Sequence, residues 1–217
     1  MINTQDQEEL FKLIAEYLEK DLECVAVGGT ALMFSGYKTA TKDIDLVFKN
    51  RSDMEAFIRA IEKLGYKEKA LAGVYDDKRK ACKGKPRMYT RGEERFDLFA
   101  GNIFGFKVSF EQEDAAERID FKGKKELTLL IPPKETLLLL KAITGRERDY
   151  EDIETILEIE NNINWEGLIS KAVEQKKNNE WILIDLEQAM QRLRKKFFIK
   201  KKFFDMIYEA QERNSIA

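Results

Sequence analysis

The sequence predicts an α+β protein, with a sheet-bearing half over residues 1–131 followed by an all-helical half over 132–217. Three observations predict this. Apolar runs of strand length, mixed with short helical patterns, fill the chain up to residue 131. The character changes at Pro132-Pro133, and beyond it the apolar residues recur at helical spacing. With 217 residues, 43% of them hydrophobic, the chain is long enough for a real core, as one domain or two small ones.

Each element has its own signal. From Asp6 to Lys20, the residues Leu10, Phe11, Ile14, Ala15 and Leu18 fall on one helical face. The apolar run Val25 to Val27 reads as a strand and ends in Gly28-Gly29-Thr30. A short helical stretch follows, and Asp43-Ile44-Asp45 then opens a second apolar strand, Leu46-Val47-Phe48. Ser52 reads as the N-cap of a helix through Leu64, stopped by Gly65. Extended segments are expected at 66–75 and 86–91, on either side of a polar, basic loop, DDKRKACKGKP. Arg95 to Phe99 alternates as a strand, with Asp97 on the face opposite Phe96 and Leu98. Further extended segments are expected at 105–110, 118–121 and 126–131, and helices at 134–143, 150–160, 165–176 and 181–213.

Composition excludes several classes of chemistry. The chain contains no histidine, which removes Ser–His and Cys–His nucleophile mechanisms and every histidine metal site. Acid–base and metal work must fall to Asp, Glu, Lys, Tyr or water. The net charge is −2, so no global field draws in nucleic acid, and such a partner needs a local patch. No stretch has the length of a transmembrane helix, and the polar start MINTQDQEELF does not read as a signal peptide. Cys24 and Cys82 have neither metal nor disulfide-framework spacing, so the expected setting is a reducing cytoplasm without a membrane partner.

Two acids on one strand face repel each other unless a cation lies between them. Asp43 and Asp45 are therefore candidate ligands for Mg²⁺, a hard ion that shares oxygen ligands with substrate phosphates. The glycine pair before a short helix offers bare backbone N–H groups to an anion. Neither pair is specific alone; the ordered combination of strand, Gly-Gly, helix and Asp-x-Asp points to an enzyme handling a nucleoside triphosphate. Asp97, from a third strand pattern, is placed to complete the metal site or to take a proton from an attacking hydroxyl. A second cluster, Lys141, Asp149 and Asp152, has two readings: a lysine reaching a phosphate, or helix capping and surface ion pairs with Arg146 and Arg148. The run RLRKKFFIKKKFF over 192–204 also has two, an RNA grip of lysines and stacked aromatics or an amphipathic helix.

The segment GGTALMFSGYKTATKDIDLVF resembles the signature of the polymerase-β-like nucleotidyltransferase superfamily, a Gly-Gly or Gly-Ser turn, then Asp-x-Asp, then a later third Asp. Its GGTAL and TKDIDL are similar to the AbiEii-like group, which includes toxin nucleotidyltransferases of toxin–antitoxin systems. PPKETLLLLKAITGRERDYEDI looks like that group's second motif, and the resemblance spans about residues 22–160. It implies a mixed sheet with flanking helices, followed by the helical half. It implies that Gly28, Gly29 and Thr30, with Lys42 beside them, hold the triphosphate, and that Asp43, Asp45 and Asp97 hold Mg²⁺. Lys141 and Asp149 would complete the site from the helical half, Lys141 with its stem packed and its ammonium reaching outward. The activity implied is transfer of a nucleoside monophosphate from an NTP to an acceptor, an RNA such as tRNA, a protein or a small molecule. A cognate antitoxin is an expected partner. Two rivals stand beside it: a nucleotide-binding regulatory or antitoxin-like module without turnover, and a small-molecule nucleotidyltransferase of antibiotic-modifying type, which needs an acidic or aromatic acceptor pocket.

Overall fold

The computed structural model describes residues 1–70 and 84–212. The basic loop around Lys78–Lys80, Cys82 and the expected strand residues 71–75 lie outside them. The chain divides into two compact units, Met1–Pro133 and Lys134–Ala217.

The first unit opens with a two-residue strand, β1 (Ile2–Asn3), that runs into α1 (Thr4–Tyr17). Asn3 caps this helix through a reciprocal box with Asp6, so it begins two residues before the expected start. The remaining elements are β2 (Leu22–Ala26), α2 (Gly28–Phe34), β3 (Ala40–Thr41), β4 (Asp43–Phe48), α3 (Arg51–Lys63), β5 (Lys67–Lys69), β6 (Arg87–Arg91) and β7 (Glu94–Ala100). They are followed by β8 (Asn102–Ile103), β9 (Phe106–Lys107), β10 (Glu117–Lys122) and β11 (Glu126–Ile131). Among the described residues, seven strands form one mixed sheet in the order β10-β11-β2-β4-β7-β6-β5. β4 lies inside it, antiparallel to β2 and parallel to β7. The cap of α3 is Asn50, not Ser52: its side chain accepts the Asp53 N–H at 2.9 Å, so the helix starts two residues earlier than a Ser52 cap would set it.

Alternation sorts the two faces of the central strands. Ile44, Leu46, Phe48, Phe96 and Leu98 are fully buried. On that face Phe57 of α3 meets the rings of Phe48 and Phe96 at 5.0 and 5.6 Å between centroids. Each such ring contributes about 2–3 kcal/mol through burial. The opposite face receives Asp43, Asp45 and Asp97 by the same alternation. The apolar face thus fixes the register that places the acids.

The second unit consists of helices: α4 (Lys134–Thr144), α5 (Glu147–Ile159), α6 (Trp165–Gln175), α7 (Ile182–Leu193) and α8 (Lys201–Glu212). α4 is buried nearly all round, from Thr136 to Ile143, and packs against α5, α6 and α7. The single helix expected over 181–213 is two, interrupted at 194–200. Arg194, Lys195, Lys196, Lys200, Lys201 and Lys202 would stack like charges along a continuous helix. The break also lets Ile199, Phe203 and Phe204 be buried.

Candidate active site

β7 lies directly beside β4, with Asp43 opposite Arg95 and Asp45 opposite Asp97. Residues two apart on a strand share a face. These four side chains therefore form a square on one sheet face, with three carboxylates and one guanidinium. Asp97 is 5% exposed, while Asp43, Asp45 and Arg95 are half-buried. Arg95 grips Asp97 with two prongs: Nε donates to Oδ1 at 2.8 Å, and Nη2 donates to Oδ2. Its Nη1 lies 3.5 Å from Asp43 Oδ2. Hydrogen bonding to Asp97 holds the guanidinium above its ordinary range, so it remains charged.

Asp45 is seated by the glycine turn. The Gly29 N–H donates to its Oδ2 at 3.3 Å. Gly28 has φ +55°, and a Cβ there would fall 2.3 Å from the same oxygen. A Cβ on Gly29 would fall 2.3 Å from Thr41 Oγ1. The positive φ favours glycine at 28, and at both positions a side chain would have to displace the Asp45 carboxylate or the Thr41 hydroxyl. Thr30, assigned to the triphosphate by resemblance, is instead fully buried, and its Oγ1 accepts the Asp45 N–H at 2.9 Å. The turn thus fixes the second acid, and one of its N–H groups is directed to that carboxylate.

A cavity of about 670 Å³ adjoins the square. Its lining includes Asp43 and the exposed Lys42, together with Asp6, Glu9, Glu93 and Glu94, but neither Asp45 nor the glycine turn. β1 forms part of this wall through Ile2, and its pairing with β3 fixes the chain just before Asp43.

The donor chemistry of Asp43 and Asp45, two carboxylates on one sheet face, fits a hard dication that takes its other ligands from substrate phosphates and water. Among the described residues, no three acidic or cysteine side chains converge as a ready metal cluster. Asp97 is engaged by Arg95, so Asp43 and Asp45 are the residues that would hold the ion. The sequence alone assigns no role to Arg95, which opens the expected strand Arg95 to Phe99. The signal was there, since a residue two before Asp97 on an alternating strand must share its face.

The second cluster turns inward. Lys141 is 7% exposed, and its Nζ donates to Asp149 Oδ1 at 3.0 Å and Asp152 Oδ2 at 2.6 Å. The ammonium expected to reach outward is neutralised inside the second unit because two carboxylates on one helix face meet it there. Asp149 is 1% exposed and also accepts the Arg146 backbone N–H, which caps α5. Burial alone would raise the Asp149 carboxyl, but hydrogen bonds from Arg146 and the charge of Lys141 hold it well below the usual carboxylate range. Burial likewise acts to lower the Lys141 ammonium, and Asp149 and Asp152 outweigh it, so its pKa lies above the ordinary value. The 192–204 run is mixed. Phe203 and Phe204 are buried on α8 with Lys201 and Lys202 outside, as in an amphipathic helix, whereas Phe198 in the break is 89% exposed.

Residues 6–204 match the model of a family described as nucleotidyltransferase of unknown function (DUF6036). The chain belongs to this family. The match takes in the acid square, the glycine turn and the buried lysine cluster alike. The family's description names nucleotidyl transfer and no substrate. No curated protein matches the chain. No described helix is long and apolar enough to cross a membrane.

Proposed function

We propose that the first unit transfers a nucleoside monophosphate from an NTP to an acceptor, with Mg²⁺ held by Asp43 and Asp45. One observation carries this reading: Asp45 and Asp97 are directly paired across neighbouring parallel strands, with Asp43 on the same face, in a chain of a nucleotidyltransferase family. When bound, the ion would neutralise charge on the phosphates as pyrophosphate leaves. The chain's own residues do the remainder. The Gly28-Gly29 turn fixes the Asp45 carboxylate, and Thr30 anchors the strand beneath it. Asp97 is the group nearest in kind to a proton acceptor for an acceptor hydroxyl, and Arg95 orients it. Lys42, exposed beside Asp43, offers a positive charge to a phosphate.

The AbiEii-like motifs support an RNA acceptor such as tRNA, or a protein, and a place in a toxin–antitoxin pair with a cognate antitoxin. The exposed Phe198 between Lys195 and Lys200 supports RNA further, as one aromatic face among solvent-facing cations. A second reading has its own support. The cavity beside Asp43 is lined by five carboxylates and Lys42, which favours a small acceptor bearing amines over a polyanion. Incubation with each α-labelled NTP, Mg²⁺, and separately total RNA, protein extract or an amine-bearing small-molecule panel tests the proposal. Label should enter one fraction and be lost in Asp45→Asn. Pyrophosphate release from none of the four NTPs with any acceptor would leave the nucleotide-binding module.

A further inference from the structure

The acid square contains a cation of its own. Three carboxylates and Arg95 leave it a formal charge of −2, the charge that one dication would balance. Arg95 stands opposite Asp43 in the strand register and two residues before Asp97, so its guanidinium can meet both acids without leaving its strand face. Both prongs are on Asp97, and Nη1 lies 3.5 Å from Asp43. A side chain in this position opposes a metal ion in two ways. It takes lone pairs that the ion would use, and it puts a like charge a few ångströms from the ion.

We propose that Arg95 is an internal counter-cation that competes with a divalent ion for Asp97 and Asp43, so that the square binds the free ion weakly and takes it up with a triphosphate. This rests on the metal reading of Asp43 and Asp45 above. Phosphate oxygens shift the competition in two ways. They supply the ligands that Asp97 withholds, as is usual for Mg²⁺ sites that use only one or two protein carboxylates. Their charge also offsets the repulsion from the guanidinium. Arg95 is a positioning residue here, acting on the ion through Asp97 and Asp43.

Mn²⁺ titration of the whole chain without nucleotide, read by the electron paramagnetic resonance of the free ion, tests this independently of turnover. Arg95→Gln should bind Mn²⁺ about tenfold or more tightly than the unmodified protein. It should also melt lower without Mn²⁺ and gain more in melting temperature when the ion is added. A folded Arg95→Gln that binds Mn²⁺ no more tightly overturns the proposal and leaves the metal reading standing. Should the glutamine variant not fold, Arg95→Lys carries the test. It keeps the charge but gives up the two-pronged grip, and tighter Mn²⁺ binding supports competition for Asp97 while unchanged or weaker binding contradicts it. Asp45→Asn, made alone and with Arg95→Gln, separates the two levels. Loss of Mn²⁺ binding locates the ion in the square, whereas binding indifferent to Asp45 in both backgrounds overturns the metal reading and this proposal together.

Discussion

Asp45 is held at three points: its carboxylate by the Gly29 N–H, its own N–H by Thr30, and its backbone by the β4–β7 pairing. An asparagine keeps an acceptor oxygen for Gly29 and removes one of three clustered negative charges. Asp43→Asn and Asp45→Asn should therefore melt within about 1 kcal/mol of the unmodified protein, or above it, when measured without divalent ions. A cooperative transition much lower in either variant would give that acid a structural role. Gln7 supplies a contrasting case. It is fully buried on α1, and neither its Nε2 nor its Oε1 has a hydrogen-bond partner among the described residues. Burying an unsatisfied amide costs about 1–3 kcal/mol, and an apolar side chain of similar shape avoids the penalty. Gln7→Leu should raise unfolding stability by about 1 kcal/mol in a urea titration.

Among the elements, the α4–α5 pair depends most on charge. Lys141 lies between two carboxylates inside the second unit, whereas Lys134 at the start of the same helix makes a half-exposed pair with Glu160 at 2.5 Å. Removing one partner of a buried charge cluster costs about 3 kcal/mol or more, against at most about 1 for a half-exposed pair. Lys141→Ala should lower stability far more than Lys134→Ala, and equal small losses would show that the cluster holds nothing together. The acid limb follows from Asp149. Its folded pKa is depressed below the ordinary 3.8. Its contribution is therefore complete above that value and is lost as pH falls below it towards the folded pKa. Melting temperature should not change on this account from neutral pH down to about pH 4 and should fall below it. In Asp149→Asn that acid limb should flatten.

For the whole molecule, the apolar patterns made the architecture legible while local chemistry blurred its details. Period-two alternation around Asp43-Ile44-Asp45 and Phe96-Asp97-Leu98 is enough to put the acids on one face, because the opposite face must bury Ile44, Leu46, Phe96 and Leu98. The two-residue strands β1, β3 and β8 carry no period to read. The break at 194–200 was hidden because 181–213 keeps a helical apolar pattern on both sides of it. Arg95 shares the face of Asp97 by local alternation, but its approach to Asp43 arises only when β4 and β7 become neighbours, and strand order is a long-range fact that no local window contains. The same holds for Lys141, whose inward turn depends on a helix that follows it in the chain. The central claim, that the acid square is the seat of nucleotidyl transfer, is tested most directly by one comparison. Label transfer from α-labelled NTP in the presence of Mg²⁺ is measured for the unmodified chain and for folded Asp45→Asn. The account predicts transfer by the first and a loss of about a hundredfold or more in the second, the scale expected when charge stabilisation at the reacting phosphate is removed. Equal transfer by both would contradict it.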